Sequence, residues 1–159
     1  MTRLAVTGHR GLSEKTTALV GAALRSEISK HEDETLIGLT CLADGADTLF
    51  ARAILDHGGA LNVVVPARKY RDSLPEEHHA TYDALIAEAA EIIHLDHVES
   101  DSDAHMDASL RMLADADELL AVWDGKPARG RGGTADVVDA AHDKGVPVTV
   151  VWPTGAKRD

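Results

Sequence analysis

The feature that most constrains this chain is a rhythm: short apolar runs alternate with longer amphipathic ones along almost its whole length. Leu4–Thr7, Thr35–Thr40, Leu61–Pro66, Glu91–Leu95, Glu118–Trp123 and Val146–Trp152 read as strands. Between them Ser13–Lys30, Ala46–His57, Glu76–Ala90, Ala104–Ala116 and Thr134–Lys144 read as helices. In the first of these, Ala18, Leu19, Ala22, Ala23 and Ile28 recur near helical spacing, with Ser13 as a candidate N-cap. Gly58-Gly59 and Gly145 are stop signals. Val63, Val64 and Val65 are contiguous, so their strand is expected to be covered on both faces. Strands alternating with helices predict an α/β fold: a single Rossmann-like domain with a mostly parallel sheet of about six strands and helices on both faces. Residues 1–153 are assigned to that domain and 154–159 to a short polar tail.

A chain of 159 residues buries roughly 70% of its unfolded surface. It needs no disulfide or structural metal, and its single Cys41 offers neither. The only aromatic residues of the Phe, Tyr and Trp types are Phe50, Tyr70, Tyr82, Trp123 and Trp152, so Ala, Val and Leu must carry the core.

Lys and Arg total 16 against 27 Asp and Glu, a net charge of −11. That field repels a phosphate backbone and argues against a nucleic-acid partner. A small phosphorylated ligand remains compatible, because local arginines and helix N-termini act at short range. No run approaches the roughly 18 apolar residues of a membrane span. The opening MTRLAVTGHR has no signal-peptide layout, so a cytoplasmic location is expected.

In open parallel sheets, ligands bind beyond the carboxyl ends of the strands. The unusual residues of this chain gather there. Strand one ends in Thr7-Gly8-His9-Arg10-Gly11, where glycine permits close backbone approach and Arg10 offers a planar fork to phosphate or carboxylate. This is neither a GxGxxG fingerprint nor a P-loop. Strand two leads into Asp44-Gly45-Ala46-Asp47. There a ligand could lie against Gly45 and Ala46 at a helix N-terminus, with Asp44 as a candidate cap and Asp47 suiting the helix dipole. Strand five leads into a loop, Gly125–Gly133, in which Arg129 and Arg131 concentrate positive charge beside Gly130, Gly132 and Gly133. A phosphate cradle explains the combination. Gly132, Gly133 and Thr134 would hold phosphate, Arg10 or Arg131 would neutralise it, and Gly8, Gly45 and Asp47 would shape the ribose or base side.

His94, Asp96, His97, Asp101, Asp103, His105 and Asp107 crowd one stretch, but their spacing matches no metal-ligand pattern. No metal and no cofactor are expected. His78-His79 reads as a solvated helix start, and Cys41 as a small core residue rather than a nucleophile.

Taken in order, TGHR, GLTCLADGAD, VVVP, MLADADELLAVWDG and RGGTADVVDAA resemble the SLOG superfamily over nearly the whole chain. That group includes the YpsA-like proteins, the Lonely Guy (LOG) phosphoribohydrolases and the Rossmann domain of DprA, and the YpsA-like branch is nearest. The resemblance implies a nucleotide or nucleotide-derived ligand, ADP-ribose-like ligands included, at the strand ends, and a homodimer. Enzymatic LOG proteins carry PGGxGTxxE and an Arg on the preceding helix. Gly133-Thr134 matches the GT, but the Glu position falls on Val137, with Asp136 one residue earlier. The Arg position falls on Ala108, with Arg111 one turn later.

Three functions fit these residues. The first is a nucleotide-binding sensor or carrier. The second is an N-glycosidic-bond hydrolase or transferase, whose chemistry needs a carboxylate near the anomeric carbon; Asp47, Asp124 and Asp136 are the candidates. The third is an interaction module with a vestigial pocket.

Overall fold

The structure, a computed structural model, describes residues 1–158. Its strands are β1 (Thr2–Gly8), β2 (Leu36–Thr40), β3 (Ala60–Ala67), β4 (Glu91–His97), β5 (Glu118–Val122) and β6 (Val148–Val150). Its helices are α1 (Glu14–Ser29), α2 (Ala46–Asp56), α3 (Tyr70–Ser73), α4 (His79–Ala87), α5 (Ser102–Asp115) and α6 (Thr134–Asp143). The six strands form one sheet in the order β4-β3-β2-β1-β5-β6, and every pairing is parallel. The chain steps outward from β1 to β4, then crosses back to place β5 against the free edge of β1. The strand order reverses there, and a crevice opens above the carboxyl ends of β1 and β5.

Alternation along the strands divides the core in two. Leu4 and Val6 of β1, Val63 of β3 and Leu120 of β5 face one layer, with Val20, Leu24 and Ile28 of α1 and Phe50 and Ile54 of α2. Ala5, Leu39, Val64 and Leu119 face the other, with Ala108, Met112 and Leu113 of α5 and Val137 and Ala141 of α6. Phe50 is fully buried, and a side chain of this kind contributes about 1.5–3 kcal/mol. It fits because β2 carries Gly38 beneath it: a Cβ there would stand 2.9 Å from the Phe50 ring.

Several element boundaries differ from expectation. The helix expected over Glu76–Ala90 is a 3-10 turn at Glu76–His78 followed by α4, and the polar loop 67–74 contains the single turn α3. The last strand is short, because Pro147 has no N–H to give; its carbonyl accepts from Leu119 N–H at 2.9 Å just before β6 begins. His78 is not solvated. It is buried, and its Nε2 lies 2.9 Å from the Leu42 carbonyl, bracing the segment after β2.

Candidate functional site

Two adjoining hollows lie over the carboxyl ends of the central strands. The larger, about 280 Å³, is bounded by Thr7–Leu12, by Arg129 and Gly132–Thr134, and by Lys157 and Arg158. The smaller, about 110 Å³, lies towards β2 and β3 and is lined by Cys41, Asp47, Tyr70, His105, Ser109 and Met112 among others. Thr7, Gly8, Arg10 and Gly132 border both, so the two are lobes of one cleft.

The wall between β1 and β5 is built around His9. Its ring is buried, with Nε2 accepting from Asp124 N–H at 3.1 Å and Nδ1 lying 3.4 Å from the Thr134 hydroxyl. Trp152 packs edge-on against it, with ring centroids 5.5 Å apart. Burial, then the charge of Arg158, holds the His9 pKa below its ordinary value, against the pull of Asp124. A neutral ring that accepts at Nε2 carries its proton on Nδ1 and directs it at Thr134, leaving the Thr134 hydroxyl hydrogen free to point into the larger lobe. Burial alone would raise the Asp124 carboxyl, but the Lys126 N–H it accepts holds it below the usual range.

The glycine-rich loop and the start of α6 form the facing wall. Gly132 N–H donates to Asp136 Oδ2 at 2.8 Å, and Gly133 N–H to the Gly130 carbonyl at 3.3 Å. The loop therefore satisfies its own glycine donors. The N–H groups that α6 leaves without an intrahelical acceptor are the next two, on Thr134 and Ala135.

The candidate binding residues divide accordingly. Thr7, Gly8, His9, Arg10, Gly132, Gly133 and Thr134 border the larger lobe, and Asp47 borders the smaller. Gly45 and Ala46 border neither lobe. Ala46 is fully buried, and its N–H donates to the His9 carbonyl at 3.3 Å. Gly45 has φ +84, and a Cβ there would stand 2.7 Å from the same carbonyl oxygen, so the position serves the packing of α2 under the β1 turn. Arg131 is also outside: its side chain is 71% exposed and pairs with Asp103 at the start of α5. Asp44 does not cap α2; it accepts from Arg10 Nε at 2.8 Å and from Gly11 N–H at 3.2 Å, fixing the turn that carries Arg10 between the lobes.

Among the three candidate carboxylates, only Asp47 lines the cleft, since Asp124 and Asp136 border neither lobe. The LOG-type positions are closed as well. Val137 and Ala108 are buried in the core, and Arg111 pairs with Asp115 on the outer face of α5.

In the smaller lobe, desolvation pushes the Asp47 carboxyl up to about 7, against the Ala43 N–H it accepts at 3.1 Å and the nearby Arg10. Burial, then Asp47, raises the Cys41 thiol well above its ordinary value, which keeps it protonated and unreactive. Because folding tightens proton binding at Asp47, the contribution of Asp47 to stability should fall as pH rises from about 4 to about 7 and remain lost above. Asp47→Asn keeps an acceptor for the Ala43 N–H. It should flatten that slope and be more stable than wild type above pH 7 by ~2 kcal/mol, discounted for the open cleft. Urea unfolding across pH checks this, and equal slopes for the two proteins would refute it.

Lys157 and Arg158, in the segment expected as a polar tail, also border the larger lobe. The basic pair itself was the available signal, but nothing local showed where the tail returns. The aromatic and α5 residues of the smaller lobe were missed for the same reason: Tyr70 and His105 pack edge to face, 5.9 Å apart, only in the folded chain.

No protein-family model matches this chain. No curated protein matches it either. Solved structures do. DNA processing protein A (DprA) from Streptococcus pneumoniae aligns at 16% identity and a TM-score of 0.66, covering 94% of this chain and 50% of that one. DprA from Helicobacter pylori aligns at 11% identity and a TM-score of 0.68, covering 98% and 68%. The molybdenum cofactor binding protein from Rippkaea orientalis aligns at 13% identity and a TM-score of 0.61, covering 94% and 75%. This chain thus spans half the length of the streptococcal protein. The shared fold is a single α/β Rossmann-like domain, the fold implied by the SLOG resemblance.

Proposed function

We propose that this protein binds a nucleotide or nucleotide-derived ligand in the two-lobed cleft, as a sensor or carrier. The observation that carries this reading is local charge reversal. In a chain of net charge −11, Arg10, Arg129, Lys157 and Arg158 converge on one lobe together with the start of α6. Phosphate belongs against cations and unsatisfied helix N–H groups. The smaller lobe, with Tyr70, Met112 and Asp47, offers the mixed apolar and hydrogen-bonding surface that a ribose or base requires. Solved neighbours described as a molybdenum cofactor binding protein and as a single-stranded DNA binder support a binding role for the fold. The acidic surface of this chain favours the small ligand over DNA.

The experiment is calorimetry and thermal shift with a nucleotide panel. A ligand that binds only the native state must raise the melting temperature. The double variant Gly132→Ala/Gly133→Ala should lose about tenfold in affinity, ~1.4 kcal/mol. The added Cβ atoms would stand 3.2 Å from the Ser102 carbonyl oxygen and 2.9 Å from the Ala128 Cβ, which displaces the loop that aims α6. A folded double variant that binds like wild type refutes the cradle. A melting temperature unmoved by the whole panel favours an interaction module instead.

Cleavage of an N-glycosidic bond is the second reading, and the position of Asp47 in the smaller lobe favours it. Release of free base from nucleoside monophosphates, abolished in Asp47→Asn, would establish it.

A further inference from the structure

We infer that residues 154–158 are a strap that supplies the second half of an anion site, making the larger lobe a receptor for a diphosphate rather than a single phosphate, and that Thr16 is the positioning residue that seats the strap. This rests on the reading of the cleft as a nucleotide site and specifies the ligand class it takes.

The path of the strap is well determined by chemistry. Pro153 follows β6, and Ala156 N–H returns to the Pro153 carbonyl at 3.0 Å. Gly155 makes the turn with φ +94, and a Cβ there would stand 3.4 Å from Leu19 of α1. The strap is then clipped twice by one side chain. The Thr16 hydroxyl accepts from Lys157 N–H at 3.0 Å and lies 3.2 Å from the Lys157 carbonyl oxygen. Thr16 is buried in the first turn of α1, so this hydroxyl has little freedom to choose other partners. The clip carries Lys157 and Arg158 to the mouth of the larger lobe.

The charge arithmetic then points to the ligand. Arg10 is already matched by Asp44 at 2.8 Å. Lys157 and Arg158 bring two further cationic side chains to the lobe, and among the described residues the carboxylate beside His9, Asp124, is occupied by the Lys126 N–H it accepts. A single phosphate at the start of α6 would be held by Thr134, the helix dipole and the wall that Arg10 and Arg129 border, without the strap. Two further cations across the lobe call for a second phosphate group bridging towards them. A nucleoside diphosphate, or a longer pyrophosphate-linked ligand of the ADP-ribose type, has that charge and spacing. Burial first, then the charge of Arg158, lowers the His9 pKa, with Arg129 adding to it and Asp124 opposing. The His9 titration therefore reports whether the strap is seated.

The test compares ADP, AMP and inorganic pyrophosphate by calorimetry on the full chain, with an NMR titration of His9. Wild type should bind ADP at least about tenfold more tightly than AMP. Lys157→Ala/Arg158→Ala should lose about tenfold for ADP and pyrophosphate while AMP changes by less than about threefold, and the ADP difference should shrink with added salt. Thr16→Val, nearly isosteric and apolar, should give the same nucleotide pattern with an unchanged circular dichroism spectrum. The His9 pKa should rise in both variants. Equal binding of ADP and AMP by wild type overturns the diphosphate assignment. An unchanged His9 titration or ADP affinity in Thr16→Val overturns the role given to that residue. Should wild type bind none of the three probes, the nucleotide reading itself fails, and the His9 titration still decides whether Thr16 seats the strap.

Discussion

Val137→Glu should leave the protein largely unfolded at neutral pH, or at best several kcal/mol weaker, and should confer no hydrolase activity. The position corresponds to the LOG-type carboxylate, yet its side chain lies among Leu39, Met112 and Leu119 rather than in the cleft. A carboxylate introduced there would be desolvated with no cation to meet it, a change worth about 3–5 kcal/mol. The sign of its pH dependence is a further check. Burial would raise the folded-state pKa of the new carboxyl, so the loss should be smallest near pH 4 and grow as pH rises through neutrality. A melting temperature within a few degrees of wild type at pH 8, or release of base from AMP, would contradict the placement of this residue.

Gly8→Ala should be strongly destabilising for the addition of one methyl group. A Cβ on Gly8 would stand 2.4 Å from the Ala46 Cβ and 2.7 Å from the Val122 Cβ. Neither neighbour can rotate away, because each is itself a Cβ fixed to backbone. α2 must therefore slide from β1, or β5 must separate from it. Overpacking of this kind costs about 1–3 kcal/mol, and the clash with two fixed backbones puts this case at the upper end. Thermal denaturation should fall by roughly 6–12 °C for a domain of this size. Affinity for any ligand of the larger lobe should fall too, because Ala46 N–H and the His9 carbonyl move together. Gly11→Ala is the control: nothing lies within 4 Å of its added Cβ, so its cost is confined to the strain of its positive φ.

The strand rhythm was legible because period and composition act locally, and the all-parallel sheet follows from connections too long for hairpins. The loops after β1 and β5 stand out in the sequence for the same reason, and the structure brings their Gly8, Arg10, Gly132 and Thr134 around one lobe. Sequence shows that the Arg131 charge is near a loop but not which side of it faces inward; in the structure it turns outward to Asp103 at the start of α5. A small residue at a helix start, such as Gly45 or Ala46, looks alike in sequence whether its space is taken by a ligand or by the neighbouring turn, and here the turn at His9 takes it. The strap lay beyond sequence reasoning altogether, since one hydroxyl 141 positions away decides its course.

The two walls of the cleft meet through His9 and Thr134, which are 125 positions apart in the chain. During synthesis, β1 to β4 can pair as they emerge, each beside its predecessor. The far edge of β1 must wait for β5, because nothing made earlier fills that place. Until then the central strand of the finished sheet is an open edge strand, with its backbone donors and acceptors offered to any other chain. No ligand of the cleft can shorten that interval, since its receptor does not exist until α6 has followed β5. Such a ligand protects the completed protein only. The vulnerability of the nascent chain is thus set by the time needed to make the crossover from β4 to β5, and slower translation through α5 should increase aggregation even where ligand is plentiful.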